Sequence, residues 1–170
     1  MAAMIRLFLT CVFLATSVCG AKMSRAEIQS CYEKSKSLET ACEFHQCFHE
    51  RYQCNDESVT AWALELCRQF PKDVVLQFTP PGTKMMIDIA NCTQNFLARI
   101  FQQRKTLNCN AFESKYFSTL TKCYANEKNF CDIFKTNRAI FMKQATAIMM
   151  KKPRALQAFA AAAKDCTRLN

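Results

Sequence analysis

Ten cysteines are threaded through residues 31–166: Cys31, Cys42, Cys47, Cys54, Cys67, Cys92, Cys109, Cys123, Cys131 and Cys166. Over the same span there is one glycine, Gly82. Thiols at this density hold a metal, perform redox or nucleophilic chemistry, or staple the chain, and each role needs a different oxidation state. The stretch "CNAFESKYFSTLTKCYANEKNFC", from Cys109 to Cys131, carries three of them without a glycine or proline and is patterned like a helix.

The first twenty residues bear on the choice. Arg6 precedes an apolar run, Leu7–Val18, and small residues follow, with cleavage expected after Gly20 or Ala21. This is the pattern of a secretory signal peptide. The run is 12 residues long and contains Thr10, Thr16 and Ser17, whereas a membrane-spanning helix needs about 20 apolar residues. Residues 1–20 are therefore read as the leader and 21–170 as one exported domain, of a size that buries a real core. Cys11 and Cys19 leave with the leader, and the ten that remain predict five intrachain bridges in an oxidising compartment and no free thiol.

Glycine poverty argues against an all-β scaffold, whose hairpin turns depend on residues at positive φ. The text is rich in helix formers, so the expected fold is all-α, a single disulfide-stapled helical domain. Helices are expected near 25–38, 41–52, 57–70, 84–106, 111–125, 127–135, 137–150 and 153–167. Ser24–Glu27 and Thr40–Glu43 fit the capping box, Asn110–Glu113 is a looser version, and Pro153 opens the last helix. The main break is "FPKDVVLQFTPPG", residues 70–82. On the helix from 84, Met86, Ile89, Ala90, Thr93, Phe96, Leu97, Ile100 and Phe101 form an apolar face, with Asp88, Asn91, Asn95 and Gln102 on another side. Tyr116, Leu120, Cys123 and Tyr124 form a second face. Both are read as core, with a groove for lipid or a partner helix as the alternative. The alanine-rich segment 154–166 offers little bulk and is expected to return Cys166 to the body of the fold.

The two histidines, His45 and His49, share a helical face near Cys42 and Cys47. A zinc site there would need reduced thiolates, and Gln46 stands where a metalloprotease helix carries Glu. They are read instead as exposed residues beside a bridged helix, with no metal and no cofactor. No glycine-framed serine, Cys-x-x-Cys or EF-hand loop occurs, so an enzyme is not expected. Asn91-Cys92-Thr93 is a candidate N-glycosylation site, although its middle residue is expected to bridge and a helix presents it poorly. Without Arg6 there remain 22 Lys and Arg against 14 Asp and Glu, a net charge of +8. That balance suits acidic extracellular partners, including sulfated glycans, or simply keeps the protein soluble. Nucleic acid is not the expected partner of an exported chain without a binding module.

The intervals between the ten cysteines are 10, 4, 6, 12, 24, 16, 13, 7 and 34 residues. This ladder resembles that of the stanniocalcins, secreted disulfide-bonded glycoprotein hormones, and all ten positions correspond in order. Cys109-x-x-Phe112, Cys123-Tyr124, Cys131-x-Ile133-x-Lys135-x-Asn137 and Phe96-Leu97-Ala98 are also similar to the family's text. The resemblance spans Cys31 to Cys166. It implies the bridges Cys31–Cys47, Cys42–Cys67, Cys54–Cys109, Cys92–Cys123 and Cys131–Cys166; counting alone leaves open roughly nine times the 105 pairings available to eight cysteines. The family's further cysteine, which links two chains, has no counterpart here, so a monomer or a non-covalent homodimer is expected. The family's usual sugar site has no counterpart between Cys47 and Cys54.

The resemblance implies a secreted signalling protein acting in calcium and phosphate balance by recognising an extracellular receptor. Arg99, Arg104, Lys105, Lys151, Lys152 and Arg154 are the candidate contacts. One alternative is non-covalent inhibition of a secreted metalloproteinase, and a weaker one is a helical lipid carrier.

Overall fold

The computed structural model describes residues 23–55, 57–69, 75, 77–127 and 129–167, without the side chains of 144–149, 165 and 167. Residues 1–20, read above as a leader, and residues 70–74 and 76 of the expected break at 70–82 lie outside the described residues. Among those described there are eight α-helices and no strand: α1 (Arg25–Lys34), α2 (Ala41–Tyr52), α3 (Val59–Gln69), α4 (Pro80–Gln103), α5 (Cys109–Ala125), α6 (Phe130–Thr136), α7 (Arg138–Ile148) and α8 (Pro153–Ala163). Two short 3₁₀ turns, Met149–Lys151 and Lys164–Thr167, flank α8. The all-α reading is correct.

Helix starts follow local chemistry where the chain is free to choose. Ser24 and Glu27 complete the capping box of α1: the Glu27 amide donates to Ser24 Oγ at 3.2 Å and the Ser24 amide to Glu27 Oε2 at 2.6 Å. Two other expected caps are corrected. Thr40 does not cap α2; its hydroxyl donates instead to the Lys34 carbonyl at 2.7 Å, tying the α1–α2 turn together. Asn110 lies inside α5, and Asn108 is the cap, accepting from the Ala111 amide at 3.0 Å.

The start of α4 also moves, from 84 to Pro80. Pro80 and Pro81 occupy the first two helical positions, where a missing N–H costs nothing, and Thr79 Oγ1 accepts from the Gly82 amide. The prolines therefore open the helix rather than interrupt it. At α1 the expected end, 38, retreats to Lys34. Gln94 Nε2, from α4, donates to the carbonyls of Ser35 (2.7 Å) and Ser37 (3.3 Å). Those carbonyls are taken up by a neighbouring helix.

One continuous apolar cluster runs from Cys31 to Cys166. Helix α5 is its hub, packing on α3, α4 and α8, while α2 touches α1, α3 and α4. Phe48 joins the two halves, with its ring 6.1 Å from Phe101 and 5.4 Å from Phe112. A second aromatic group, Tyr124, Phe130, Phe134, Phe141 and Phe159, closes the C-terminal end. On α4, Ile89, Phe96, Leu97, Ile100 and Phe101 are buried as expected, but so are Met85, Gln94 and Ala98, while Met86, Ala90 and Thr93 are only half-buried. The buried face is broader because α1 and α2 cover one flank and α5 another. Tyr116, Leu120, Cys123 and Tyr124 are all buried, as expected of α5.

Ala155 and Ala158 are buried in α8, which packs closely along α5. Small side chains let two helix axes approach, so the alanines of this segment serve packing as well as returning Cys166. No helix among the described residues is long and apolar enough to cross a membrane.

Candidate recognition surface

The sulfurs pair as Cys31–Cys47, Cys42–Cys67, Cys54–Cys109, Cys92–Cys123 and Cys131–Cys166, with Cα separations between 4.9 and 5.9 Å. These are the pairs that the stanniocalcin resemblance implies. The first two interlock α1, α2 and α3. Cys54–Cys109 ties the exit of α2 to the start of α5, Cys92–Cys123 ties α4 to α5, and Cys131–Cys166 ties α6 to the turn after α8. With their thiols oxidised, these ten positions offer neither a thiolate ligand nor a thiol nucleophile.

The histidines are not exposed; both are half-buried, because α2 is packed by α1, α3 and α4. Burial holds the His45 imidazole down to about 4, so it is neutral at physiological pH. His49 Nδ1 lies 2.9 Å from Thr60 Oγ1, which in turn lies 2.8 Å from Ser58 Oγ. Ser58 and Thr60 are both buried, and Ser58 Oγ accepts from the Ala61 amide at the start of α3. The string of hydroxyls and imidazole therefore anchors a helix end and exposes no nucleophile. Among the described residues no group of three His, Cys, Asp or Glu side chains is placed to hold a metal ion.

The six basic candidates divide into two sets. Lys151 pairs with Glu65 at 2.6 Å; Lys152 lies 3.4 Å and Arg154 3.7 Å from the Glu113 carboxylate. Lys152 also donates to the Glu57 carbonyl, and Arg154 to Ser114 Oγ at 3.2 Å. These three are internal ties that dock the entry of α8 onto α3 and α5. Arg99, Arg104 and Lys105 are exposed, as Lys151 and Arg154 also are, but stand at the C-terminal end of α4 and the loop after it. A helix C-terminus attracts cations, so positive charge is well placed there.

Asn91 is exposed at mid-length on α4, with Asn95 and Arg99 following it at four-residue steps along the outward side. Among the described residues, cavities open at the surface include two beside α5. One, about 390 Å³, lies beside the Cys54–Cys109 bridge and includes Asn55, Glu113 and Lys152 in its wall; the other, about 300 Å³, lies between α5 and α8. The walls of neither include a histidine, and the cysteines beside the first are bridged.

Residues that sequence reasoning missed organise this end of the molecule. The Arg51 guanidinium donates to the carbonyls of Phe101 and Arg104 (3.0 Å to the latter) and lies over the Phe101 ring at 4.5 Å. The Tyr52 hydroxyl sits 3.1 Å from the Ile100 carbonyl and 3.0 Å from that of Arg104. Together they satisfy the last carbonyls of α4 from the neighbouring α2. No local signal marks them, because their partners lie about fifty positions away in the chain. Fold and bridges define an all-α, disulfide-stapled domain with a basic helix end. Compared with protein-family models, curated proteins and solved structures, the chain matches none.

Proposed function

We propose that the chain is a secreted, stanniocalcin-like signalling protein that acts in calcium and phosphate balance by recognising an extracellular partner. The observation that carries this reading is the cysteine ladder: ten positions in family order, whose sulfurs approach one another in the five pairs that the family implies. Disulfides persist in oxidising compartments, which agrees with export through the leader. The arrangement supports recognition over chemistry: five bridges hold helices rigidly and leave the exposed end of α4 as the basic contact. It also favours recognition over lipid carriage. Phe44, Phe48, Phe96, Phe101, Phe112 and Phe117 are buried in the protein's own core, at ring separations that fit mutual packing.

The test is physiological. Purified, oxidised protein added to producing or responding tissue should change calcium or phosphate transport, and animals lacking the chain should lose tolerance to a calcium load. Normal handling of both ions in such animals would overturn the proposal.

A further inference from the structure

We propose that Asn91 carries an N-linked oligosaccharide, attached before α4 forms and before Cys92 bonds to Cys123. The pattern Asn91-Cys92-Thr93 is an acceptor for this modification, and the inference rests on the export reading above. Successive residues of an α-helix are about 100° apart around its axis. Asn91 is thus exposed, while Cys92 turns to α5 and its bridge with Cys123. The folded domain accommodates a glycan at this point without moving a core residue.

The folded domain cannot, however, acquire one. A transferase must engage Asn91 and Thr93 together, and these stand about 200° apart on a helix but on one side of an extended chain. The Thr93 hydroxyl is also committed, donating to the carbonyls of Ile89 (3.0 Å) and Ala90 (2.9 Å). The acceptor sits well inside a 24-residue helix, far from either fraying end, and the neighbouring bridge pins that helix to α5. Transfer must therefore precede folding. Chain order permits this, because Cys123 lies 31 residues after Cys92 and is made later.

In the transfer the Asn91 amide nitrogen bonds to the anomeric carbon of a lipid-linked oligosaccharide diphosphate. The carbon–oxygen bond to the diphosphate breaks, the lipid diphosphate leaves with the electron pair, and the amide gives up one proton. Nothing is oxidised or reduced. The glycan then stands on the outward face of α4 beside Asn95.

The full chain is secreted from a eukaryotic host twice, once with residues 1–20 and once with an unrelated cleavable leader. The peptide spanning 85–99 is then mapped after amidase release of N-glycans in heavy-oxygen water. Conversion of Asn91 to labelled Asp in either secreted product is expected; an unmodified Asn91 in secreted protein overturns the proposal. Failure of secretion with the native leader alone would instead count against export. The order of events is tested on unglycosylated protein made in bacteria and oxidised to five bridges. Incubated with transferase-bearing microsomal membranes in detergent and the lipid-linked donor, the folded chain should show no acceptance, and the reduced, denatured chain should be modified at Asn91. Equal acceptance by both would overturn the ordering.

Discussion

At the residue scale the clearest constraint is Gly82, the one glycine in residues 21–170. A Cβ at this position would lie 2.9 Å from Asn137 Nδ2 and 3.0 Å from its Cγ. Asn137 is 2% exposed and spends its amide on the entry to α4: Oδ1 accepts from the Thr79 amide at 2.8 Å, and Nδ2 donates to Thr79 Oγ1 at 2.9 Å and to the Ile133 carbonyl at 2.8 Å. Gly82→Ala should therefore destabilise the domain by about 1–3 kcal/mol through overpacking, read from the urea midpoint. In an Asn137→Ala background the same change should cost much less, since the clash is gone. The sequence shows that Gly82 is rare but not why, because Asn137 lies 55 positions downstream.

His45 sets a pH dependence at the same scale. Its imidazole is held down to about 4 by burial, against an ordinary value of 6.5. The unfolded chain then binds the extra proton between pH 6.5 and 4 while the folded one does not, so stability rises with pH across that window. The contribution is complete above pH 6.5 and is lost as pH falls toward 4, amounting to at most about 3.5 kcal/mol at about 1.4 kcal/mol per pH unit. Unfolding midpoints taken at pH 7.5 and 4.5 should differ less in His45→Gln than in the parent protein.

At the scale of the element, α4 shows how helix ends divide between local and distant control. Its start was hidden in a text that reads as a break, yet two prolines after Thr79 make a coherent first turn. Its end is governed from α2 by Arg51 and Tyr52. Arg51→Ala should cost about 1–3 kcal/mol, since it strips charged donors from two carbonyls, and the loss should be non-additive with Tyr52→Phe because both address the Arg104 carbonyl. Thermal melts of the two single variants and the double variant measure this coupling.

The same helix end carries the exposed cations. Reversing Arg99, Arg104 and Lys105 to Glu should advance elution from a sulfated-glycan column and reduce its salt dependence. Neutralising the ion-paired Lys151 and Arg154 should change elution far less, because their charges are already met by Glu65 and Glu113. Equal effects from both sets would remove the distinction drawn between them.

Over the whole molecule, five bridges tie together seven of the eight described helices, all but α7. On the chain-entropy account they stabilise by about 3 kcal/mol for the shortest separation and about 4 kcal/mol for the longest; those are Cys31–Cys47 at 16 residues and Cys54–Cys109 at 55. Replacing Cys54 and Cys109 together by Ser should lower the melting temperature more than replacing Cys31 and Cys47, and should loosen α5 against α2 in hydrogen exchange. The Cys131 and Cys166 double replacement should act mainly on α6 and α8, the elements that this bridge joins.

Helix content and the buried face of α5 were legible in the sequence, because propensity and a three-to-four-residue apolar rhythm depend on neighbours within a few turns; the number of bridges was legible because an even count of cysteines suffices to give it. The ends of α1 and α4, the burial of the histidines and the tying of Lys151, Lys152 and Arg154 were decided by tertiary structure. In each case the deciding partner is remote: Gln94 for Ser35, Arg51 for Arg104, Glu65 for Lys151. A polar group's fate rests on which partner arrives within hydrogen-bonding distance, and that is set only when the helices pack.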